Sequence, residues 1–328
     1  MKAKNPENQQ FVDHFRRLVT VFGSDPKGGA FKIKALNKVI PQIVAHDFPI
    51  TSGKHARDCL QGVGKGFADR IDEIIETGTL KELVEDNDDQ INAIEQLSRV
   101  TGIGEVKAKR LYEEFGISTI DELRDAVDSG KLELTHHSII GLKYLEEFEE
   151  RIPAKEVENA NKLLQKAVHS VDPALILTIC GSYRRGRPTC GDIDVLITHP
   201  KAKTEGTYLT KLVSMLTESG FLIDHLTATG NKKYMGVCRV SKMARRIDIR
   251  FVDYSSYYAA MMYFTGSKHF NIQIRRRALE MGYSLNEYGL HEVKDEEKNI
   301  IPVDSEEEIF KVLGIDYVSP KDRDIGEK

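Results

Sequence analysis

Cysteine is scarce in this chain, and none of it is clustered. Cys59, Cys180, Cys190 and Cys238 are spread over 328 residues with no CxxC pair. That spacing argues against a disulfide framework and against a zinc site, and it points to reduced thiols in a cytosolic or nuclear setting. Long apolar runs are missing too. None approaches the roughly 20 residues of a membrane span, so no membrane partner is expected. The opening MKAKNPENQQ has no apolar stretch behind it, and no secretory signal is expected. Nor is there a basic excess: 47 Lys and Arg against 51 Asp and Glu give a net charge of −4. A uniformly basic nucleic-acid binder is thereby disfavoured, and the distribution of charge matters more than its total. Basic residues lead by seven to three over residues 23–65 and by eight to three over 240–280, while the segment from 286 onward is acidic by thirteen to six.

What is present is an ordinary globular composition, 40% apolar and 30% charged. The length fits two or three domains at roughly 150 residues each. Residues 7–80 read as short helices. Phe11, Phe15, Leu18, Val19 and Phe22 recur at helical spacing, Gly23-Ser24-Asp25-Pro26 breaks the pattern, and Ala35–Val44 resumes it. Residues 91–150 are also helical in pattern, and Arg151-Ile152-Pro153 reads as a linker. From about 171 the texture changes. Segments 175–179, 194–198, 234–240 and 246–251 are strand-like, with helices expected at 155–169 and 207–219. The expected fold class is α+β: an all-helical front and a mixed back half.

The chemistry concentrates in 181-GSYRRGRPTCGDIDVLIT-198. On a strand, residues two apart share a face, so Asp192 and Asp194 aim their carboxylates the same way. Paired carboxylates repel unless a cation lies between them. Mg²⁺ accepts carboxylate oxygens together with substrate phosphates, and the upstream serine and arginines are phosphate donors. Two-metal nucleotidyl transfer asks for a third carboxylate. Asp248, in 245-RRIDIRFV-252, is the candidate. Its flanking arginines leave a structural ion-pair cluster as the alternative. An internal repeat adds a second theme. Residues 60-LQGVGKGFADRI-71 and 100-VTGIGEVKAKRL-111 share apolar-x-Gly-apolar-Gly followed by a helix. Such a turn presents backbone N–H groups at a helix N-terminus, where they bind a phosphate without reading the base. Each copy resembles a helix-hairpin-helix motif.

These features are followed in order by Tyr263-Phe-Thr-Gly-Ser267 and Pro302-Val-Asp-Ser305, and Gly141-Leu-Lys-Tyr144 and Pro320-Lys-Asp-Arg323 are present too. Together the segments resemble the family X DNA polymerases of the beta type, from about residue 10 to 325. The resemblance implies four parts: a lyase-like helical domain with the first hairpin motif (1–85), a DNA-binding helical subdomain with the second (86–150), a nucleotidyltransferase palm (151–253) and a C-terminal α+β nucleotide-selection subdomain (254–328). It implies a template-directed, gap-filling polymerase of base excision repair. Asp192 and Asp194 then bind two Mg²⁺ ions, with Mn²⁺ as a substitute, and Asp248 binds the catalytic one. Ser182, Arg185 and the backbone of Gly191 hold the β- and γ-phosphates of a dNTP, with Arg151 nearby. Tyr263, Phe264 and Gly266 line the sugar pocket, and Asn271 meets the incoming base. Arg275, Lys233, Arg246 and Lys32 contact DNA, as do the turns at Gly62, Gly64, Gly102 and Gly104. A monovalent cation, Na⁺ or K⁺, sits on backbone groups of Asp58, Leu60, Val63, Ser98, Val100 and Ile103. The implied partners are gapped or nicked duplex DNA, dNTPs and other repair proteins. A nuclear or cytoplasmic monomer is expected.

Several residues depart from the family. Its N-terminal domain carries a deoxyribose-phosphate lyase that uses a Schiff-base lysine, and the matching position here is Arg70. A guanidinium stays protonated and cannot form that adduct. Phe31 replaces a histidine, Leu36 a tyrosine and Gly66 another lysine, so lyase activity is expected to be lost or strongly reduced. Lys32 and Lys65 are the candidates for a relocated nucleophile. Lys268 stands where an aspartate is usual near the nucleotide. Two other readings remain on the residues alone: a template-independent nucleotidyltransferase and a non-catalytic DNA-binding scaffold.

Overall fold

The computed structural model describes residues 2–24, 29–84, 88–201, 207–294 and 297–324. The expected break at Asp25-Pro26 and the expected boundary at 85/86 lie outside the described residues. The chain divides into two compact units, Met1–Leu142 and Lys143–Lys328.

The first unit is helical. Its elements are α1 (Gln9–Gly23), α2 (Ala30–Ala45), α3 (Gly53–Cys59), α4 (Lys65–Thr77), α5 (Lys81–Val84), α6 (Asp88–Leu97), α7 (Glu105–Phe115), α8 (Ile120–Asp128) and α9 (His136–Lys143), which runs to the unit boundary. In α1 the helical stripe is buried through Phe11, Val12, Phe15 and Leu18, and Val19 and Phe22 pack beside it. α2 starts five residues before the expected Ala35 and carries Pro41 internally. It contributes Leu36, Val39, Ile40 and Ile43 to the same core. The paired Gly turns are alike in conformation. Gly62 and Gly102 have φ of 84° and 92°, the left-handed region that favours glycine. Gly64 and Gly104 are extended and cap α4 and α7, so the motif's two glycines do different work.

The second unit is α+β, as the sequence texture indicates. It begins with α10 (Leu145–Glu149), β1 (Ile152–Pro153), α11 (Ala154–Val171), β2 (Ile176–Ile179), α12 (Gly181–Arg184), β3 (Thr189–Cys190) and β4 (Ile193–His199). Then come α13 (Tyr208–Glu218), β5 (Leu222–His225), β6 (Lys233–Arg239) and β7 (Ala244–Asp253). The main sheet has the order β2-β4-β7-β6-β5, and β4–β7 is its parallel pair. Alternation assigns its faces. Ile193, Val195 and Ile197 of β4 and Ile247, Ile249 and Phe251 of β7 join a core with α11 and α13. The other face carries Asp194 and Asp248.

The chain continues through α14 (Tyr257–Thr265), α15 (Lys268–Glu280), β8 (Tyr283–Asn286), β9 (Gly289–Lys294), β10 (Glu297–Ile301) and α16 (Glu306–Val312). The β8–β10 meander is antiparallel. It shares a core of Phe270, Ile274, Leu285, Leu290, Ile309 and Phe310 with these helices. An α+β subdomain was expected here from the resemblance, but residue pattern did not mark its strands. Alternating charged residues and the acidic composition of 286–328 masked them.

Candidate active site

The site forms where β4 and β7 run parallel. Their register pairs Asp194 with Asp248 directly. Asp192 lies just ahead of β4, two residues before Asp194. The strand alternation that buries the isoleucines therefore gathers the carboxylates on the opposite face. Asp194 is half-buried, and its carboxyl is pushed up to about 7, first by desolvation and then by the charges of Asp192 and Asp248. Arg246 and Arg185 oppose that shift. Asp248 is also raised, by burial first and by Asp192 next, against Arg246, Lys233 and Arg250. Its Oδ1 is buried without a hydrogen-bond partner. A buried, unsatisfied carboxylate oxygen costs on the order of 1–3 kcal/mol or more. Three converging carboxylates with one free buried oxygen are a donor set suited to a hard divalent cation.

The surrounding residues are fixed in specific ways. Arg246 Nη2 donates to Asp192 Oδ2 at 2.7 Å, so Arg246 sits against the triad. Lys233 is paired in register with Arg250 on β7. A cavity of about 800 Å³ opens in front of Asp192 and Asp194. Ser182, Arg185, Gly191 and Arg151 line it on one side, and Tyr263, Phe264, Gly266, Asn271 and Arg275 on the other. Arg151 reaches Thr189 through Nη2 to the carbonyl at 2.7 Å. The Tyr263 and Phe264 rings meet edge-on at 5.1 Å. Asn271 Nδ2 donates to the Tyr263 carbonyl at 2.7 Å. Arg275 is exposed, and so is Lys268 on the same cavity wall. The Gly266–Ser267 peptide is cis, and Gly266 has φ 69°.

Three features were not legible in the sequence. Gly181 has φ 58°, and a Cβ there would lie 2.2 Å from Asp194 Oδ2; the Gly-Ser turn is built around that carboxylate. Asp324 accepts from Arg185 Nε at 2.6 Å and from Arg187 Nε at 2.5 Å, while Arg185 Nη1 donates to the Thr265 carbonyl at 2.7 Å. Arg323 is fully buried. It pairs with Glu306 at 2.7 Å, and Glu306 also pairs with Arg184 at 2.5 Å. Ser267 Oγ donates to the Arg323 carbonyl at 2.7 Å. This network ties the 265–268 turn to α12, and removing one partner of such a buried set costs about 3–5 kcal/mol. The Pro320-Lys-Asp-Arg323 motif was the sequence signal for it, without the partners.

In the first unit, Lys32 lies over the Phe22 ring at 4.4 Å. Arg70 makes a two-point ion pair with Glu82, Nε to Oε2 at 2.6 Å and Nη2 to Oε1 at 2.9 Å. It also donates to the Gly66 carbonyl at 3.0 Å. The bond to Arg70 holds the Glu82 carboxyl below its ordinary range. Leu36 is a core residue, and Phe31 is 83% exposed. Of the residues expected at the monovalent cation, Asp58 lies on α3 and Leu60 and Val63 on the turn after it, while Ser98, Val100 and Ile103 follow α6. The Val100 carbonyl there already accepts from Ile103 N–H at 2.9 Å.

Comparison with known proteins adds the following. Residues 151–254 match a family model described as DNA polymerase beta palm, and 260–324 match DNA polymerase beta thumb. Residues 95–149 match the fingers domain of DNA polymerase lambda. A helix-hairpin-helix domain matches 6–80, and a helix-hairpin-helix tandem matches 60–116. The chain is 33% identical over 313 residues to DNA polymerase lambda of Rattus norvegicus, covering 91% of this chain and 53% of the relative. It is 30% identical over 341 residues to DNA polymerase lambda of Arabidopsis thaliana, covering 97% and 62%. Identity to DNA nucleotidylexotransferase of Xenopus laevis is 27% over 355 residues, covering 96% and 68%. The chain thus spans less than two thirds of the length of either lambda relative.

Proposed function

The chain belongs to family X of the DNA polymerases, of the beta type, and from that premise we propose that it is a template-directed polymerase filling short gaps in DNA under repair. The observation that carries the reading is the register of β4 and β7, which sets Asp248 beside Asp194, and Asp194 and Asp192 line a cavity rich in arginines. Asp192, Asp194 and Asp248 would hold two Mg²⁺ ions, Asp248 the catalytic one, with Mn²⁺ as a substitute. Divalent ions bound there would favour loss of the primer hydroxyl proton and neutralise phosphate charge. Asp248 takes or relays that proton through its unbonded Oδ1. Ser182, Arg185 and the Gly191 amide hold the β- and γ-phosphates, with Arg151 beside them. Tyr263, Phe264 and Gly266 shape the sugar pocket, Asn271 faces the base, and Arg275 meets the template. Phosphoryl transfer asks mainly for positioning and charge neutralisation, and these side chains supply both.

The four-part division at 1–85, 86–150, 151–253 and 254–328 belongs to the same proposal. Lys32, Lys233, Arg246 and the Gly62/Gly64 and Gly102/Gly104 turns grip the DNA backbone, with Na⁺ or K⁺ on the turn carbonyls. Such contacts carry no sequence information, as gap filling requires. The protein acts as a monomer in the nucleus or cytoplasm alongside other base excision repair proteins. It lacks an effective lyase, because Arg70 is committed to Glu82 and keeps its proton.

The test is primer extension on single-nucleotide-gap DNA with Mg²⁺, with and without a template base. Templated addition is expected. Equal addition without template supports the nucleotidylexotransferase reading instead. Asp192→Ala and Asp248→Ala are expected to abolish extension while gapped-DNA binding persists, and full activity in either ends the proposal.

A further inference from the structure

The first unit holds a cluster that the polymerase reading leaves unused. One ring nitrogen each of His46 and His55 and the Cys59 thiol all lie within 4.8 Å of one another. His55 and Cys59 are four apart on α3, so they share one helix face. His46 follows α2, and the loop to α3 returns it to that face. Its ring stands 6.3 Å from that of His55 at 69°. His46 Nε2 is buried with no hydrogen-bond partner, a state that carries a desolvation cost unless a ligand relieves it. Thr51 steadies the second ring, with its backbone nitrogen and Oγ1 each 3.2 Å from His55 Nδ1. The Thr51 backbone N–H donates to Nδ1 in the metal-free ring, whereas a metal on Nε2 needs the proton on Nδ1, which then donates to Thr51 Oγ1 instead. Cys59 is exposed, whereas Cys180, Cys190 and Cys238 are buried, so this thiol is open to a metal and to solvent reagents.

We propose that His46, His55 and Cys59 form a transition-metal site of the zinc class, separate from the carboxylate triad. Two imidazoles and a thiolate select a borderline-soft ion over Mg²⁺ or Ca²⁺. Metal bonds of about 2.0–2.3 Å place tetrahedral ligand atoms about 3.3–3.8 Å apart, the three atoms here lie within 4.8 Å of one another, and the exposed Cys59 side chain has the freedom to adjust. Water completes the tetrahedron. The bound ion pins the end of α2 to α3, whose last residue is Cys59, one position before the 60–64 turn. It therefore braces the first Gly-x-Gly motif. The scattered cysteines gave no sign of this site, because its ligands come from two helix ends and only one is a cysteine.

The test uses the full chain, reduced and stripped of metal, titrated with Co²⁺ and then Zn²⁺. Co²⁺ is expected to give a thiolate charge-transfer absorption at stoichiometric loading. Zn²⁺ is expected to displace it and excess Mg²⁺ to leave it. Cobalt held by aspartates alone gives no such band. Zn²⁺ is also expected to protect Cys59 from alkylation and to raise the thermal midpoint of the wild type, as any ligand selective for the folded state does. Cys59→Ser should abolish the band, and His46→Gln and His55→Gln should weaken metal binding at least tenfold. A missing band, an alkylation rate indifferent to Zn²⁺, or undiminished affinity in His46→Gln overturns the proposal. The alkylation measurement on the wild type decides the matter if a variant fails to fold.

Discussion

Replacing Gly181 with alanine tests how tightly the triad depends on its surroundings. Gly181 is left-handed at φ 58°. A side chain there costs on the order of 1–2 kcal/mol from backbone conformation alone. The added Cβ would also sit 2.2 Å from Asp194 Oδ2, where ordinary contact begins near 3.4 Å, so the carboxylate or the turn must shift by about 1.2 Å. Misplacing a reacting group by about 1 Å costs on the order of 100-fold in rate, or about 2.7 kcal/mol of barrier. The expected result for Gly181→Ala is therefore a roughly 100-fold lower kcat in single-nucleotide gap filling, with gapped-DNA affinity unchanged. Gly220→Ala is the control. Gly220 is also left-handed, at φ 75°, but its Cβ would meet nothing within 4 Å. It should lose comparable backbone stability, a few degrees of thermal midpoint at about 2–4 °C per kcal/mol, and keep its kcat. A folded Gly181→Ala enzyme with kcat within about threefold of wild type would refute the claim that this turn positions Asp194.

The Asp194 carboxyl stands at about 7 in the folded protein, above the roughly 3.9 of an exposed aspartate. Its folded form therefore holds a proton that the unfolded chain has released. Metal-free protein should lose stability as pH rises from about 4 to about 7 and level off above. Asp194→Asn should flatten that slope and raise the metal-free thermal midpoint at pH 8; an unchanged melting profile would contradict the placement. Protons compete with Mg²⁺ at the same group, so the Mg²⁺ concentration for half-maximal extension should fall as pH rises from 6 to 7.5. Borohydride trapping on 5′-deoxyribose-phosphate DNA should give little or no adduct, and a robust adduct would show that a lysine such as Lys32 or Lys65 has replaced the lost nucleophile. Lys268→Asp should raise the dNTP KM about tenfold and lower misinsertion, because it reverses a charge on the cavity wall; unchanged values would count against a role for Lys268.

Local pattern made a large part of this legible. The α1 stripe appeared through Phe11, Phe15 and Leu18, because each helical turn must present its apolar residues to one core. Strands at 233–239 and 244–253 lie within a few residues of those expected at 234–240 and 246–251. The alternating isoleucines around Asp194 and Asp248 fixed which face each aspartate occupies. The strands β8–β10 were not legible from pattern, since β9 spaces Leu290 and Val293 three apart and β10 opens on Glu297, Lys298 and Asn299. Arg323 was visible only as the end of the Pro320-Lys-Asp-Arg323 segment, without its partners. Its burial follows from Glu306 and the rings of Phe270, Phe310 and Tyr317 closing around it.

The sequence by itself determined the kinds of chemistry: paired carboxylates on a strand, phosphate donors on a Gly-Ser turn, and two Gly-x-Gly helix starts. Those follow from short-range rules of two, three or four residues, which a linear string displays directly. Only the tertiary structure decided which groups meet. Parallel pairing of β4 with β7 joined residues 54 positions apart into a triad, and Asp324 came to lie against Arg185, 139 positions away. Arg70 was bound to Glu82, and His46 was turned toward His55 and Cys59. Long-range partners are selected by the packing of whole elements, and no local pattern records that choice.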